Sequence, residues 1–242
     1  MLGLQDIKQR YRRSAIGPLW ITLSMALMTI CLGLLYGKLF NVPIDTFLPF
    51  LASGIIIWNM ISTCLNESCH AYINAKSLIY QSSVSYWSHL LRVIWRNIII
   101  FGHNLIILPI LLLIFGSNTT WTIIFLLPGF LLLCGNLIWI SSLLAIISTR
   151  YRDVPQIVQS IVQILFFLTP IMWTPTLLNS RAGSFLIELN PFYHLIELVR
   201  APILGSSIQI HSWLICFTLL LVGSGFAAFI GRKFNHRIAY WL

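Results

Sequence analysis

The chain has 242 residues, 58% of them hydrophobic and only 9% charged, with a formal net charge of +9. Soluble domains run about 45–50% apolar and about 25% charged, so this composition excludes an ordinary soluble domain, and it is too apolar for a disordered chain. Long apolar runs instead of weak alternation point to an all-α polytopic membrane protein and away from a transmembrane barrel.

At about 20 residues per crossing, the length holds six transmembrane helices as a single domain, residues 1–242, with no sizeable soluble part. Segment 1–16 comes first. Leu4, Ile7 and Tyr11 recur at i, i+3 and i+7, opposite Lys8, Arg12 and Arg13. That pattern predicts a short basic amphipathic helix on the inner leaflet; a plain charged flank to the first span is the alternative. The first span runs from about Gly17 to Phe40, entered through Pro18, and the second from about Thr46 to Asn66. A long connection, residues 67–93, mixes polar residues with Tyr72, Tyr80, Tyr86 and Trp87. The third span is placed at Ile94 to Phe115, and a bare turn at Gly116 to Thr120 follows it. The fourth covers Trp121 to Thr149, and Pro128-Gly129 is expected to interrupt it. After the tight turn Arg150-Tyr151-Arg152-Asp153, a fifth span reaches from Val154 to about Trp173. Residues 174–212 are apolar but broken by Pro175, Pro191 and Pro202, which suits short re-entrant helices better than a solvated loop. The sixth span runs from about Trp213 to Ile230.

Twelve of the 15 basic residues fall on one side of this arrangement: Lys8, Arg10, Arg12, Arg13, Lys76, Arg92, Arg96, Arg150, Arg152, Arg232, Lys233 and Arg237. Only Lys38, Arg181 and Arg200 fall on the other. The positive-inside rule then predicts both termini in the cytoplasm, as an even number of spans requires. The basic balance is thus an orientation signal, and nucleic acid is not an expected partner. Five scattered cysteines match neither a disulfide framework nor a zinc pattern and read as small buried hydrophobes.

No catalytic residue or metal site is expected. The chain lacks GxxxxGK[ST], HExxH and GxSxG, and its six histidines form no i, i+4 pair. No carboxylate falls inside a span core, which argues against an ion-coupled carrier. The polar features that remain are substrate-pathway candidates. Gln156, Gln159 and Gln163 share one helix face, which should look at protein or at a wet cavity; hydrogen bonding within the bundle is the other reading. His103, Asn104 and Asn136 pose the same choice. Trp58 and Trp139 sit in mid-span, where sugar stacking competes with ordinary packing.

Several motifs, in order on this frame, carry a resemblance: Tyr11-Arg12-Arg13-Ser14 leading to Gly17-Pro18-Leu19-Trp20, Asn66-Glu67, Arg92-Val93-Ile94-Trp95-Arg96-Asn97, Tyr151-Arg152-Asp153-Val154-Pro155, Asn190-Pro191-Phe192 and Arg200-Ala201-Pro202. Together the chain resembles the membrane subunits of type 2 ABC exporters, most of all the permeases that export O-antigen and other lipid-linked polysaccharides. The resemblance implies a homodimeric channel in the bacterial inner membrane, driven by two copies of a separate cytoplasmic ABC ATPase that binds the ATP and magnesium. This chain itself would bind no cofactor. The same resemblance implies that segment 1–16 is an interface gate helix and that 67–93 holds the helix coupling to the ATPase, with Glu67, Tyr72, Asn74 and Lys76 as its candidates. It makes 174–212 a set of short helices near the exit, and the substrate an undecaprenyl-diphosphate-linked polysaccharide. Arg10, Arg12, Arg13, Arg92 and Arg96 are then candidates to meet the diphosphate by charge complementarity, beside their roles in topology and contact with membrane lipids. One departure stands out: related chains often carry a proline within the stretch corresponding to Tyr80 to Ser88, and this chain has none. Permeases for capsule, teichoic acid or drugs remain alternatives, as, more remotely, does a membrane glycosyl- or acyltransferase.

Overall fold

The computed structural model describes residues 19–81, 85–115, 121–174, 187–207 and 209–242. Segment 1–16, with Arg10, Arg12 and Arg13, lies outside the described residues, as do the turn at 116–120 and residues 175–186 of the outer segment. The described residues are helical throughout, without a strand. In chain order the helices are α1 Leu19–Leu39, α2 Ile44–Cys69, α3 Ala71–Asn74, α4 Lys76–Gln81, α5 Tyr86–Leu105, α6 Ile107–Phe115, α7 Leu126–Arg150, α8 Val154–Leu168, α9 Pro191–Ile203, α10 Ile210–Phe234 and α11 Ile238–Trp241. Single 3-10 turns at Trp121–Phe125 and Asn235–Arg237 lead into α7 and α11.

Five stretches are long and apolar enough to cross a membrane: α1, α2, the α5–α6 pair, α7 with its 3-10 entry, and α10 with the tail. α2 is the axis of the bundle. Its apolar window is 78% buried, against 11% for α1 and 17% for α10. Leu51, Ala52, Ile56, Ile57, Ile61 and Cys64 on α2 are fully enclosed and form the centre of the main core. The outer helices instead expose Leu, Ile and Phe, as lipid-facing surfaces do.

Four sequence expectations need correction, each for a local reason. The predicted fifth span is only 15 residues long, about 22 Å at 1.5 Å per residue, short of an apolar layer about 30 Å thick. It stops at Leu168 because Pro170 holds Thr169 in an extended conformation (φ −89°, ψ 134°). Pro128-Gly129 does not interrupt the fourth helix. Pro128 is its third residue, where a missing N–H breaks no bond. The third helix starts at Tyr86, not Ile94, so the connection shrinks to residues 70–85 and Arg92 and Arg96 ride on a helix. That helix breaks at Ile106, where Pro109 cannot donate to the carbonyl of Leu105. Finally, the sixth span reaches past Ile230: α10 covers Ile210–Phe234, and α11 folds back on the bundle.

The path of the chain sorts the bundle into two ends. The end of α2, the start of α5, the end of α7 and the tail share one small core, in which Tyr72, Leu90, Ala145, Ile146 and Ile238 are buried together. At the opposite end, α9 packs on the first halves of α2 and α7. α8 leaves the first end at Val154 and reaches the second, where Asn190 Nδ2 donates to Thr169 Oγ1 at 2.8 Å.

Candidate functional site

Three places concentrate the polar residues. The first is the small core at the α2–α5 end. Glu67, in the last turn of α2, accepts from Arg96 Nη2 at 2.8 Å and from Asn97 Nδ2 at 2.7 Å, both on α5. Asn97 Nδ2 also donates to the Val93 carbonyl at 3.0 Å, which fixes its rotamer. This arrangement clamps the two helices that flank the connection. Tyr72 is buried edge-on to Tyr86, with ring centres 5.9 Å apart. Burial raises its phenol pKa above the ordinary value, so Tyr72 packs as a neutral ring. Asn74 and Lys76 are exposed. Of the four coupling candidates, Glu67 and Tyr72 therefore brace the connection, while Asn74 and Lys76 lie on its surface.

The carboxy-terminal segment completes this end. Lys76 Nζ donates to the main-chain oxygen of Leu242, and Tyr80 Oη to the carbonyl of Ala239 at 3.0 Å. Arg152 Nη2 reaches the Trp241 carbonyl at 3.5 Å, and the Arg150 guanidinium lies 5.4 Å from the Trp241 ring centre. Sequence reasoning missed this role of the tail. The signal was available: Phe234, Ile238, Trp241 and Leu242 recur at i, i+4, i+7 and i+8, an amphipathic stripe continuing past the last span.

The second place is α8, which has three distinct faces. Val158 and Val162 are buried against the bundle. Ile157, Ile161, Ile164 and Leu168 are exposed and apolar. Gln156, Gln159, Ser160 and Gln163 form a separate exposed polar face. None of the three glutamine amides hydrogen-bonds within the described residues.

The two mid-span tryptophans are not on that face. Trp58 is buried between Phe166 and Phe192, with ring centres 6.0 and 5.9 Å away. Trp139 donates through Nε1 to Asn136 Oδ1 at 3.0 Å, and Asn136 Nδ2 donates in turn to the Cys216 carbonyl of α10 at 3.1 Å. The Trp139 ring packs so closely on Gly223 that a Cβ there would lie 2.2 Å from it. Packing accounts for both positions. Asn104 is fully buried, and neither atom of its amide is bonded among the described residues. Arg92 is half-buried on α5, one turn from Arg96.

The third place is the end of the bundle at which α9 packs. Arg200, counted in the sequence among the three basic residues of the less basic side, is 2% exposed. Its Nε and Nη2 donate to Glu197 Oε2 at 3.1 and 2.7 Å, and Nη1 to the Pro170 carbonyl at 2.8 Å. The guanidinium also stacks 4.2 Å from the Phe50 ring centre. One side chain thus ties α9 to α2 and to the turn after α8. His194 donates from Nε2 to the Glu188 carbonyl at 2.8 Å and pairs through Nδ1 with Ser212 Oγ at 3.0 Å. Burial lowers its pKa below the ordinary value, and the neighbouring His211 acts in the same direction. The Leu198 backbone approaches Gly129 so closely that a Cβ would stand 2.4 Å from its oxygen. Among the described residues no cluster of three or more His, Cys, Asp or Glu side chains could hold a metal ion.

Residues 1–204 match the family described as ABC-2 type transporter. The chain is 26% identical over 200 residues to an O-antigen export system permease protein of Myxococcus xanthus, covering 81% of this chain and 76% of the relative. It is also similar to two proteins of the same name from Klebsiella pneumoniae. One is 24% identical over 203 residues (79% and 74% covered), the other 24% identical over 250 (97% and 91% covered).

Proposed function

The chain belongs to the ABC-2 type transporter family, and from that premise we propose that it is the membrane subunit of an ATP-binding cassette exporter moving lipid-linked polysaccharide of the O-antigen class across the bacterial inner membrane. The names of its relatives support the substrate class. The amide face of α8 is the observation that carries the mechanism. A helix bearing one buried, one apolar exposed and one amide face cannot be satisfied by lipid on both exposed sides, because an unpaired amide in hydrocarbon costs several kcal/mol. The apolar face suits lipid. The amide face suits a second copy of the chain across a polar pathway, with Gln156, Gln159 and Gln163 on its wall and Trp58 packed behind it against Phe166.

In this reading α8 and the turn after it make the sixth crossing. The passage of the chain from one end of the bundle to the other along α8 supports it, and so does the excess of basic residues at one end. Both termini are then cytoplasmic. The α2–α5 connection meets the ATPase through its exposed residues, Asn74 and Lys76 among them, while Glu67–Arg96–Asn97 transmits the movement to α2 and α5. Two ATPase copies hold the ATP and magnesium. Arg92 and Arg96, with Arg10, Arg12 and Arg13, attract the substrate's diphosphate, and α9 braces the exit.

The test is deletion of the gene followed by staining for surface polysaccharide. Loss of staining, restored by the intact gene and accompanied by glycolipid retained inside the cell, is the expected result. Normal surface polysaccharide in a strain with no second exporter overturns the reading.

A further inference from the structure

The coupling end carries a feature that export leaves unused. Between the last turns of α7 and α10 and the folded-back tail lies an open groove of about 670 Å³. That volume falls within the range of sites that hold small amphiphiles, about 300–1,000 Å³. Its lining is divided by chemistry: Ile147, Phe226 and Ile230 are among its apolar residues, whereas Arg150, Tyr151, His236, Arg237 and Tyr240 carry polar groups. Phe226 and Tyr240 are largely exposed, so the groove opens outward from the bundle. Among the described residues neither Arg150 nor Arg237 has an acidic partner; Arg150 makes only ring contacts, to Tyr151 and Trp241. The far wall is a built surface. The bonds from Lys76, Tyr80 and Arg152 to main-chain oxygens of 239–242 fasten the tail that forms it.

We propose that this groove binds an anionic glycerophospholipid of the cytoplasmic leaflet, its acyl chains against Ile147, Phe226 and Ile230 and its phosphate between Arg150 and Arg237. Charge selects the occupant. Two guanidinium groups with no acidic partner among the described residues, at the edge of an apolar trough, match a phosphate headgroup above hydrocarbon chains, and a tyrosine beside them belongs at that boundary. A neutral lipid or a detergent would leave both cations unanswered. The bound lipid braces the tail on which Lys76 and Tyr80 of the coupling connection rest. The proposal rests on the reading that places this end in the cytoplasm; it is independent of what the protein exports.

Native mass spectrometry of the full-length, delipidated protein tests it, with phosphatidylglycerol, phosphatidylcholine and undecaprenyl phosphate titrated separately. The expected result is retention of phosphatidylglycerol over phosphatidylcholine, with a loss of about fivefold in affinity for each arginine removed in Arg150→Gln and Arg237→Gln. The paired lysine variants, Arg150→Lys and Arg237→Lys, keep the charge and the binding, which separates lost charge from a misfolded groove. Equal retention of the two glycerophospholipids overturns the proposal, as does phosphatidylglycerol binding indifferent to the glutamine variants. Stronger, arginine-dependent retention of undecaprenyl phosphate overturns it too, and assigns the groove to the carrier lipid. Export assays do not enter this result, so a failed lipid site and a failed export reading are told apart.

Discussion

Glu67 and Arg96 pair at 2.8 Å across the two helices that flank the 70–85 connection, and Asn97 donates to the same carboxylate oxygen. Both charged side chains are partly buried, and removing the carboxylate takes away the acceptor that Arg96 Nη2 and Asn97 Nδ2 share, although Asn97 keeps the Val93 carbonyl. That loss costs about 1–3 kcal/mol. Glu67→Ala should lower the unfolding temperature in detergent by several degrees. Glu67→Gln, which still presents an acceptor to Asn97, should lower it less. In membranes carrying the partner ATPase, Glu67→Ala should also weaken stimulation of ATP hydrolysis by glycolipid while basal hydrolysis persists. Unchanged stability in the alanine variant contradicts the clamp.

Gly129 and Gly225 give opposite predictions from one substitution. A Cβ on Gly129 would lie 2.4 Å from the Leu198 carbonyl oxygen, a backbone atom that cannot swing aside, whereas a Cβ on Gly225 meets nothing within 4 Å. Gly129→Ala should force α9 off α7 and destabilise the protein by about 1–3 kcal/mol. Gly225→Ala should be neutral or stabilising by up to about 1 kcal/mol, since alanine is the better helix former. Thermal unfolding of the two variants side by side checks the pair. Equal effects would mean that α9 does not sit against Gly129.

His194 gives the α9 end of the bundle a pH dependence with a definite sign. It is fully buried, and burial holds its pKa below the ordinary 6.5. Glu188, Glu197 and His211 are the titratable groups around it. A base whose pKa falls on folding binds more protons in the unfolded chain. Stability is therefore complete above about pH 6.5 and declines as pH drops below it. Unfolding temperatures measured from pH 7.5 to pH 5 should fall in the wild type. His194→Gln should start lower, having lost the fit to Ser212 and the Glu188 carbonyl, and follow a flatter curve. Parallel curves would place the titration elsewhere.

Hydrophobic content made the membrane class and most of the helices legible, because lipid demands long apolar runs whatever the tertiary packing. Boundaries were less legible where two local signals competed. Pro128-Gly129 reads as a break only if the helix starts before it; one turn later, the same pair is an entry proline and a close-contact glycine. Arg200 reads only as one of three basic residues on the less basic side, because nothing in its neighbourhood reveals that Pro170 and Phe50, distant in sequence, enclose it. Glu67 and Arg96 were each visible as candidates, yet their pairing depends on α5 beginning at Tyr86, earlier than hydropathy alone places it. The amide stripe of α8 was fully visible, since its spacing is a property of one helix. Which way the stripe faced needed the position of Val158 and Val162 against α2.

That stripe yields the sharpest functional prediction. With the three amides free of hydrogen bonds among the described residues and on a face separate from the buried valines, replacing Gln156, Gln159 and Gln163 together by leucine removes no side-chain hydrogen bond among those residues. The triple variant should insert normally and unfold within about 2 °C of the wild type, where a change of 1 kcal/mol shifts the midpoint by about 2–4 °C. Surface polysaccharide should nevertheless fall by more than half, because a leucine wall offers no hydrogen bond to sugar hydroxyls. Single asparagine replacements keep the amide and should retain most export. A triple variant that unfolds early means that the amides fasten the bundle after all; one that is stable and exports fully means that the face meets only lipid. Loss of export at unchanged stability is the combination that a pathway wall requires.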